Sequence, residues 1–136
     1  MKSKILLVTM SLLLSGSFAL AESESKAIPI RRVIDVDLTK NATVQIVVNV
    51  VYPNGCYRPD KTLGVLDQSR KTIELNHVAA IVPGFCTQAL VPRFPVAEIE
   101  RPQDGVYKII DAADGHTLGI IRIGKTEETQ IYSRQE

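Results

Sequence analysis

Two cysteines, two histidines and a few spaced aspartates are the residues of this chain equipped for chemistry beyond packing. Cys56 and Cys86 are the whole thiol inventory. Two such thiols either bridge or contribute to a metal site. A tetrahedral zinc site needs further soft or imidazole donors, and no histidine pair accompanies these cysteines. One disulfide, Cys56–Cys86, is therefore expected, and no metal. The chain-entropy model assigns a loop of about 30 residues roughly 3.5–4 kcal/mol of stabilisation, an upper figure because native strain subtracts from it.

The remaining candidates favour plain structural roles. His77 falls in the alternation of Ile73, Leu75 and Ile81, the place of a partly buried, hydrogen-bonded imidazole rather than a general base. His116 follows an Asp-Gly turn signal. Beyond residue 21 the serines are Ser23, Ser25, Ser69 and Ser133, in tails or a polar turn. None has the strand-to-helix setting of a nucleophile elbow. Asp35 and Asp37 share one strand face, as paired carboxylates for acid–base work would, but a solvated face is the simpler reading. Asp111, Asp114 and Gly115 lack the alternating acids and terminal glutamate of a calcium loop. Nothing Gly-rich precedes a helix, so no phosphate cradle is visible. No catalytic residue and no cofactor is expected, and the chain reads as a non-enzyme.

The elements that position these residues follow a leader. Lys2 and Lys4 precede an apolar run, Ile5–Leu14, broken only by Thr9 and Ser11, and Ala19-Leu20-Ala21 has the small-x-small pattern of a signal-peptidase site. Cleavage is expected after Ala21, with 1–21 as signal peptide. The run is short of the roughly 18 residues a membrane span requires. Of the 136 residues, 115 then remain. The 16 basic residues become 14 against 15 acidic, and net charge moves from +1 to −1. That balance has no electrostatic footprint for nucleic acid or anionic membrane. A periplasmic or secreted protein without membrane insertion is the expectation.

Beyond residue 27 the period is two rather than 3.6. Residues 22–27 read as a flexible start, 28–125 as one domain and 126–136 as a tail. In Ile34-Asp35-Val36-Asp37-Leu38 apolar residues alternate with aspartates. Thr43–Tyr52 places Val44, Ile46, Val48, Val50 and Tyr52 on one face, and its β-branched density disfavours a helix. Pro53-Asn54-Gly55 ends it. Thr62–Leu66, Thr72–Val82, Thr87–Val91, Phe94–Ile99, Val106–Asp111 and Leu118–Ile123 follow, with an Asp-Gly hairpin signal before the last. About seven or eight strands with frequent turns predict an all-β, antiparallel β-sandwich. An up-down-up meander of the strands at 43–52, 62–66 and 72–82 would bring Cys56 and Cys86 to one pole, within the separation a bridge requires.

The segment Arg101-Pro102-Gln103-Asp104-Gly105-Val106-Tyr107-Lys108-Ile109, with Asp114-Gly115 and Leu118-Gly119 after it, resembles the last hairpin of immunoglobulin-like sandwiches in exported bacterial proteins. The likeness covers residues 94–123 best. It implies that Tyr107 serves as a tyrosine-corner residue, its hydroxyl reaching upstream backbone. There is no second Cys two residues after Tyr107, no Trp, and no match between Cys56–Cys86 and the inter-sheet bridge of antibody domains. The likeness is one of fold and implies no catalytic residues.

The disulfide pole is the expected binding surface, with Asn54, Tyr57, Arg58 and Phe85 displayed beside Pro53 and Pro59. Tyr, Arg and Phe anchor interfaces because they offer much contact area for little lost entropy. The opposing possibility is that Tyr57 and Phe85 fold back to cap the core. The functional expectation is an exported non-catalytic module that binds a protein or other macromolecule. One alternative is an assembly subunit in which Glu22–Lys26 and Ile28–Leu38 pair with a neighbour's sheet edge. The other is a small hydrolase using Asp35, Asp37 or His77.

Overall fold

The residues that alternate most strictly form the strand around which one sheet is built. The structure, a computed structural model, describes residues 23–124 and 131–132. The leader, the cleavage position after Ala21, and most of the 126–136 tail, including Ser133, lie outside the described residues. Among the described residues there are ten strands and no helix. They are β1 (Glu24–Ala27), β2 (Ile30–Asp37), β3 (Thr43–Tyr52), β4 (Tyr57–Asp67), β5 (Thr72–Ile81), β6 (Val91–Arg93), β7 (Val96–Glu100), β8 (Gly105–Asp111), β9 (Thr117–Ile123) and β10 (Ile131–Tyr132).

β3 is central, as its sequence predicts. Val44, Ile46, Val48, Val50 and Tyr52 are fully buried, and the residues between them are half-covered. β2 runs antiparallel along one edge. The other edge is shared end to end, with β7 along Thr43–Val47 and β6 along Val50–Tyr52. Pro95 between them donates no N–H, yet its carbonyl accepts from Val48 N at 3.0 Å, so the ladder continues through the break.

The second sheet is built on β5. β4 covers one edge of β5 over its full length. The other edge is divided: β1 pairs antiparallel with Val78–Ile81, and β8 pairs parallel with Thr72–Leu75. β9 and then β10 extend the sheet beyond β8. One hydrophobic cluster joins the inner faces of both sheets, with Ile46, Val48 and Ile99 from the first and Ile73, Leu75, Ile109 and Ile121 from the second.

Several expectations are corrected here. The β5–β8 pair makes the second sheet mixed, so the arrangement is not wholly antiparallel. The start of the described chain is a paired strand rather than a flexible lead, because the upper half of the β5 edge offers backbone partners to Glu24–Ala27. Part of the expected tail is likewise strand, at β10. The meander fails at its first step, since β3 bonds to β2, β6 and β7 while β4 lies in the other sheet. Residues 87–90 carry no strand, and β6 starts only at Val91.

β2 departs from simple alternation. Its buried residues are Ile30, Val33 and Val36, and Ile34, expected inside, is exposed. Register shifts between Ile30 and Arg32 and between Val33 and Asp35 supply the reason. Each extra residue moves the following side chains to the opposite face, so a period of two becomes three.

Candidate functional site

The disulfide pole forms where the chain changes sheets. Residues 53–56 carry it from β3 into β4, and residues 82–90 carry it back from β5 into β6. The Cys56–Cys86 bridge joins these two crossings, with the Cα atoms 5.1 Å apart. Two backbone bonds flank it: Gly55 N donates to Thr87 O at 2.9 Å, and Val82 N to Cys56 O at 2.9 Å. The 82–90 loop is thereby tied at three places although it has no regular secondary structure.

The four residues expected at this pole divide between core and surface. Asn54 is half-buried, and its side-chain oxygen accepts from Cys56 N at 2.9 Å, which shapes the turn into β4. Tyr57 is only 9% exposed and lies beside Tyr52, with ring centroids 5.8 Å apart. Of the two fates open to it, it takes the core-capping one, because β4 starts at this residue and turns its first side chain inward. Arg58 is exposed, but its guanidinium donates to the carbonyls of Gly55 and Tyr57 at 2.7 and 3.1 Å. Phe85 is fully exposed. Val82, Leu90 and Phe94 are exposed large apolar residues of the same crossing and its continuation. Val82–Pro95 contains no acidic residue and one basic residue, Arg93.

His77 lies below this pole and is fully buried. Its Nε2 shares a 2.8 Å hydrogen bond with the Tyr52 hydroxyl, and its Nδ1 shares one of 2.8 Å with Thr62 Oγ1. Burial disfavours the imidazolium and lowers the His77 pKa. Burial also raises that of Tyr52, against a smaller opposing effect of Arg93. The neutral ring has one donor and one acceptor, and a hydroxyl on each side satisfies either tautomer. Tyr52 belongs to the first sheet, and His77 and Thr62 to the second, so the trio bonds one sheet to the other through the core.

The aspartates occupy separate places. Asp35 is exposed, and Asp37 Oδ1 accepts from Thr39 N at 2.8 Å; hydrogen bonding from the Thr39 side chain first, and from its backbone second, holds the Asp37 carboxyl below the usual range. Asp111 is fully buried. Its Oδ2 accepts from Ile30 N at 2.8 Å and its Oδ1 from Ala113 N at 3.0 Å. Asp114 accepts from His116 N at 2.8 Å in the β8–β9 turn, where Gly115 takes a φ of +74°. Asp111 and Asp114 thus satisfy local backbone donors. No cluster of three metal-binding side chains occurs among the described residues.

Tyr107 is fully buried, and its hydroxyl donates to Gln103 O, four residues upstream, at 2.6 Å. Gln68 Nε2 donates to the Tyr107 hydroxyl oxygen, and Lys71 Nζ lies 5.1 Å from the ring centroid. Beside it an open groove runs between β4 and β7, lined by Gly64, Val65, Leu66, Ile99, Glu100 and Arg101 among others. Neither His77 nor Thr62 reaches it. The Arg101 guanidinium is committed to Leu38 O and Lys40 O. The sequence carries no sign of this groove, because it arises where strands of different sheets come side by side. No helix of the described residues is long and apolar enough to cross a membrane. No protein-family model, curated protein or solved structure matches this chain.

Proposed function

We propose that this chain is an exported, non-catalytic binding module that recognises a protein or other macromolecule through the Phe85 loop. The observation that carries the reading is the full exposure of Phe85 on a loop fastened by a disulfide and two backbone bonds. An aromatic ring held in water by a constrained backbone has already met most of the ordering cost of association. Val82, Leu90 and Phe94 are further exposed apolar side chains of the same crossing and the segment that follows it, the residue types that interaction sites collect. Export is supported by the leader pattern at 1–21 and by a disulfide that an oxidising compartment allows to persist.

The immunoglobulin-like sandwich is the architecture proposed for it. Two sheets sharing one core and the Tyr107 hydroxyl donating to the Gln103 carbonyl support that likeness. The experiment is affinity capture from envelope and extracellular fractions of the native host, comparing the unaltered protein with Phe85→Ala. A partner held by the former and lost by the latter, with unchanged circular dichroism, is the expected result. A partner held equally by both overturns the reading.

A further inference from the structure

The free edge of β4 has a property that the binding-loop reading does not use. β4 is bonded to β5 along one side, and no strand among the described residues pairs with its other side. Unpaired edges are usually protected by proline, charge or a bulge. Here the first half has all three, with Pro59, Asp60, Lys61 and a register shift between Pro59 and Lys61. The second half, Thr62–Asp67, has no proline, no lysine and no shift. It displays Leu63 at 50% and Val65 at 61% exposure on its outer face, and the groove leaves open space beside Gly64, Val65 and Leu66.

We infer that this half-edge pairs with the same edge of a second copy, antiparallel about a twofold axis through Gly64. Side chains opposite one another across an antiparallel pair share a face. With Gly64 opposite Gly64 of the second copy, Leu63 of each chain lies opposite Val65 of the other. Two residues farther out, Lys61 of each chain lies opposite Asp67 of the other. The pairing thus covers the exposed apolar residues and sets one pair of opposite charges at each end, the two related by symmetry. A twofold interface demands such self-complementarity of one patch, and the run Lys61-Thr62-Leu63-Gly64-Val65-Leu66-Asp67 has it. The contact is a single strand pair, so the dimer is weak and depends on concentration.

Sedimentation velocity on protein purified from expression of the full chain, from micromolar to about millimolar concentration, tests this. The expected result is a monomer–dimer equilibrium. Lys61→Glu, which sets like charges opposite Asp67 at both ends, weakens it by at least about tenfold. Leu63→Lys does the same, both variants keep their circular dichroism, and Phe85→Ala leaves the equilibrium unchanged. The register is read separately: a mixture of Leu63→Cys and Val65→Cys chains cross-links across the pair more efficiently than Leu63→Cys alone. A protein monomeric throughout, a dimer indifferent to both β4 variants, or a dimer lost on Phe85→Ala but not on Leu63→Lys overturns the proposal.

Discussion

The Tyr52 hydroxyl meets His77 Nε2 at 2.8 Å across the interior, joining the central strand of one sheet to the central strand of the other. The rings lie nearly parallel, 13° apart, with centroids separated by 5.9 Å. A polar contact between sheets is tolerated in an apolar core only when every member is satisfied, and Thr62 completes it on the far side of the imidazole. Removing one partner leaves the ring with an unpaired nitrogen. Tyr52→Phe is therefore expected to cost about 1–3 kcal/mol, well above an exposed Tyr→Phe change. Urea unfolding of the two proteins measures the difference.

His77 also gives the fold an acid-sensitive range of its own. Its folded pKa lies below the ordinary 6.5, because burial penalises the charged ring. The unfolded chain therefore takes up a proton that the folded chain resists. The stabilisation is complete above about pH 6.5 and is lost as pH falls from there through the folded value. Asp37, Asp67 and Glu98 also have lowered values, held down chiefly by hydrogen bonds. Their contributions fade only in the carboxylate range, at lower pH. Stability measured between pH 7.5 and 5 is expected to decline in the unaltered protein and to decline less in His77→Gln. Parallel curves for the two proteins would remove His77 as the cause.

The bridge is expected to matter for the loop as well as for the fold. Cys56 and Cys86 are 30 positions apart, and closing a loop of that length is worth up to roughly 3.5–4 kcal/mol. The paired change Cys56→Ala and Cys86→Ala should lower unfolding free energy by up to that figure. It should also speed hydrogen exchange at Val82 and Gly55, whose N–H groups bond across the same two crossings. Exchange unchanged at those amides would mean that the backbone bonds alone hold the loop.

Much of this architecture was legible where a local rule and the tertiary environment agree. Val44 to Tyr52 alternate without a break because β3 has neighbours on both edges and a core beneath it. Cys56 and Cys86 were legible as a pair by count alone, although the expected meander was wrong. The crossings between sheets bring them to one pole just as a meander would. Ile34 lies outside although alternation puts it inside, because alternation carries no record of a bulge. Glu24–Ala27 carry no alternation to read, because all four side chains are exposed and their place is set by backbone bonds to β5. Phe85 and Tyr57 looked alike in sequence. Which one turns inward depends on Tyr57 being the first residue of a strand and Phe85 lying in a loop.

Gly64 has a requirement that its own neighbours in sequence do not announce. A Cβ placed there overlaps Cγ2 of Ile99, on β7 of the other sheet. That methyl is close to the backbone of a β-branched residue and cannot rotate aside freely. Gly64→Ala is expected to destabilise by about 1–3 kcal/mol. Ile99→Ala costs stability of its own by opening a cavity, but combined with Gly64→Ala it should cost less than the two changes added together. A double-mutant cycle reads that coupling directly. Additive losses would show that the two residues do not compete for the same space.

Asp111 fastens the N-terminal segment to the far hairpin. It accepts from Ile30 N, 81 positions away, and from Ala113 N in the β8–β9 turn, while Ala112 N donates to Leu75 O at 2.8 Å and Ile28 N to His77 O at 2.9 Å. These bonds lie where the β5 edge passes from β1 to β8, so Asp111 covers a gap that neither strand fills. Asp111→Ala leaves two backbone donors without their acceptor and is expected to cost about 1.5–3 kcal/mol or more. Asp111→Asn keeps one side-chain oxygen and should recover part of the loss. Hydrogen exchange at the Ile30 amide distinguishes a local effect from a general one. It is expected to quicken more than exchange at Val48, deep in β3, and equal acceleration at both would show that the whole domain, rather than this junction, had been loosened.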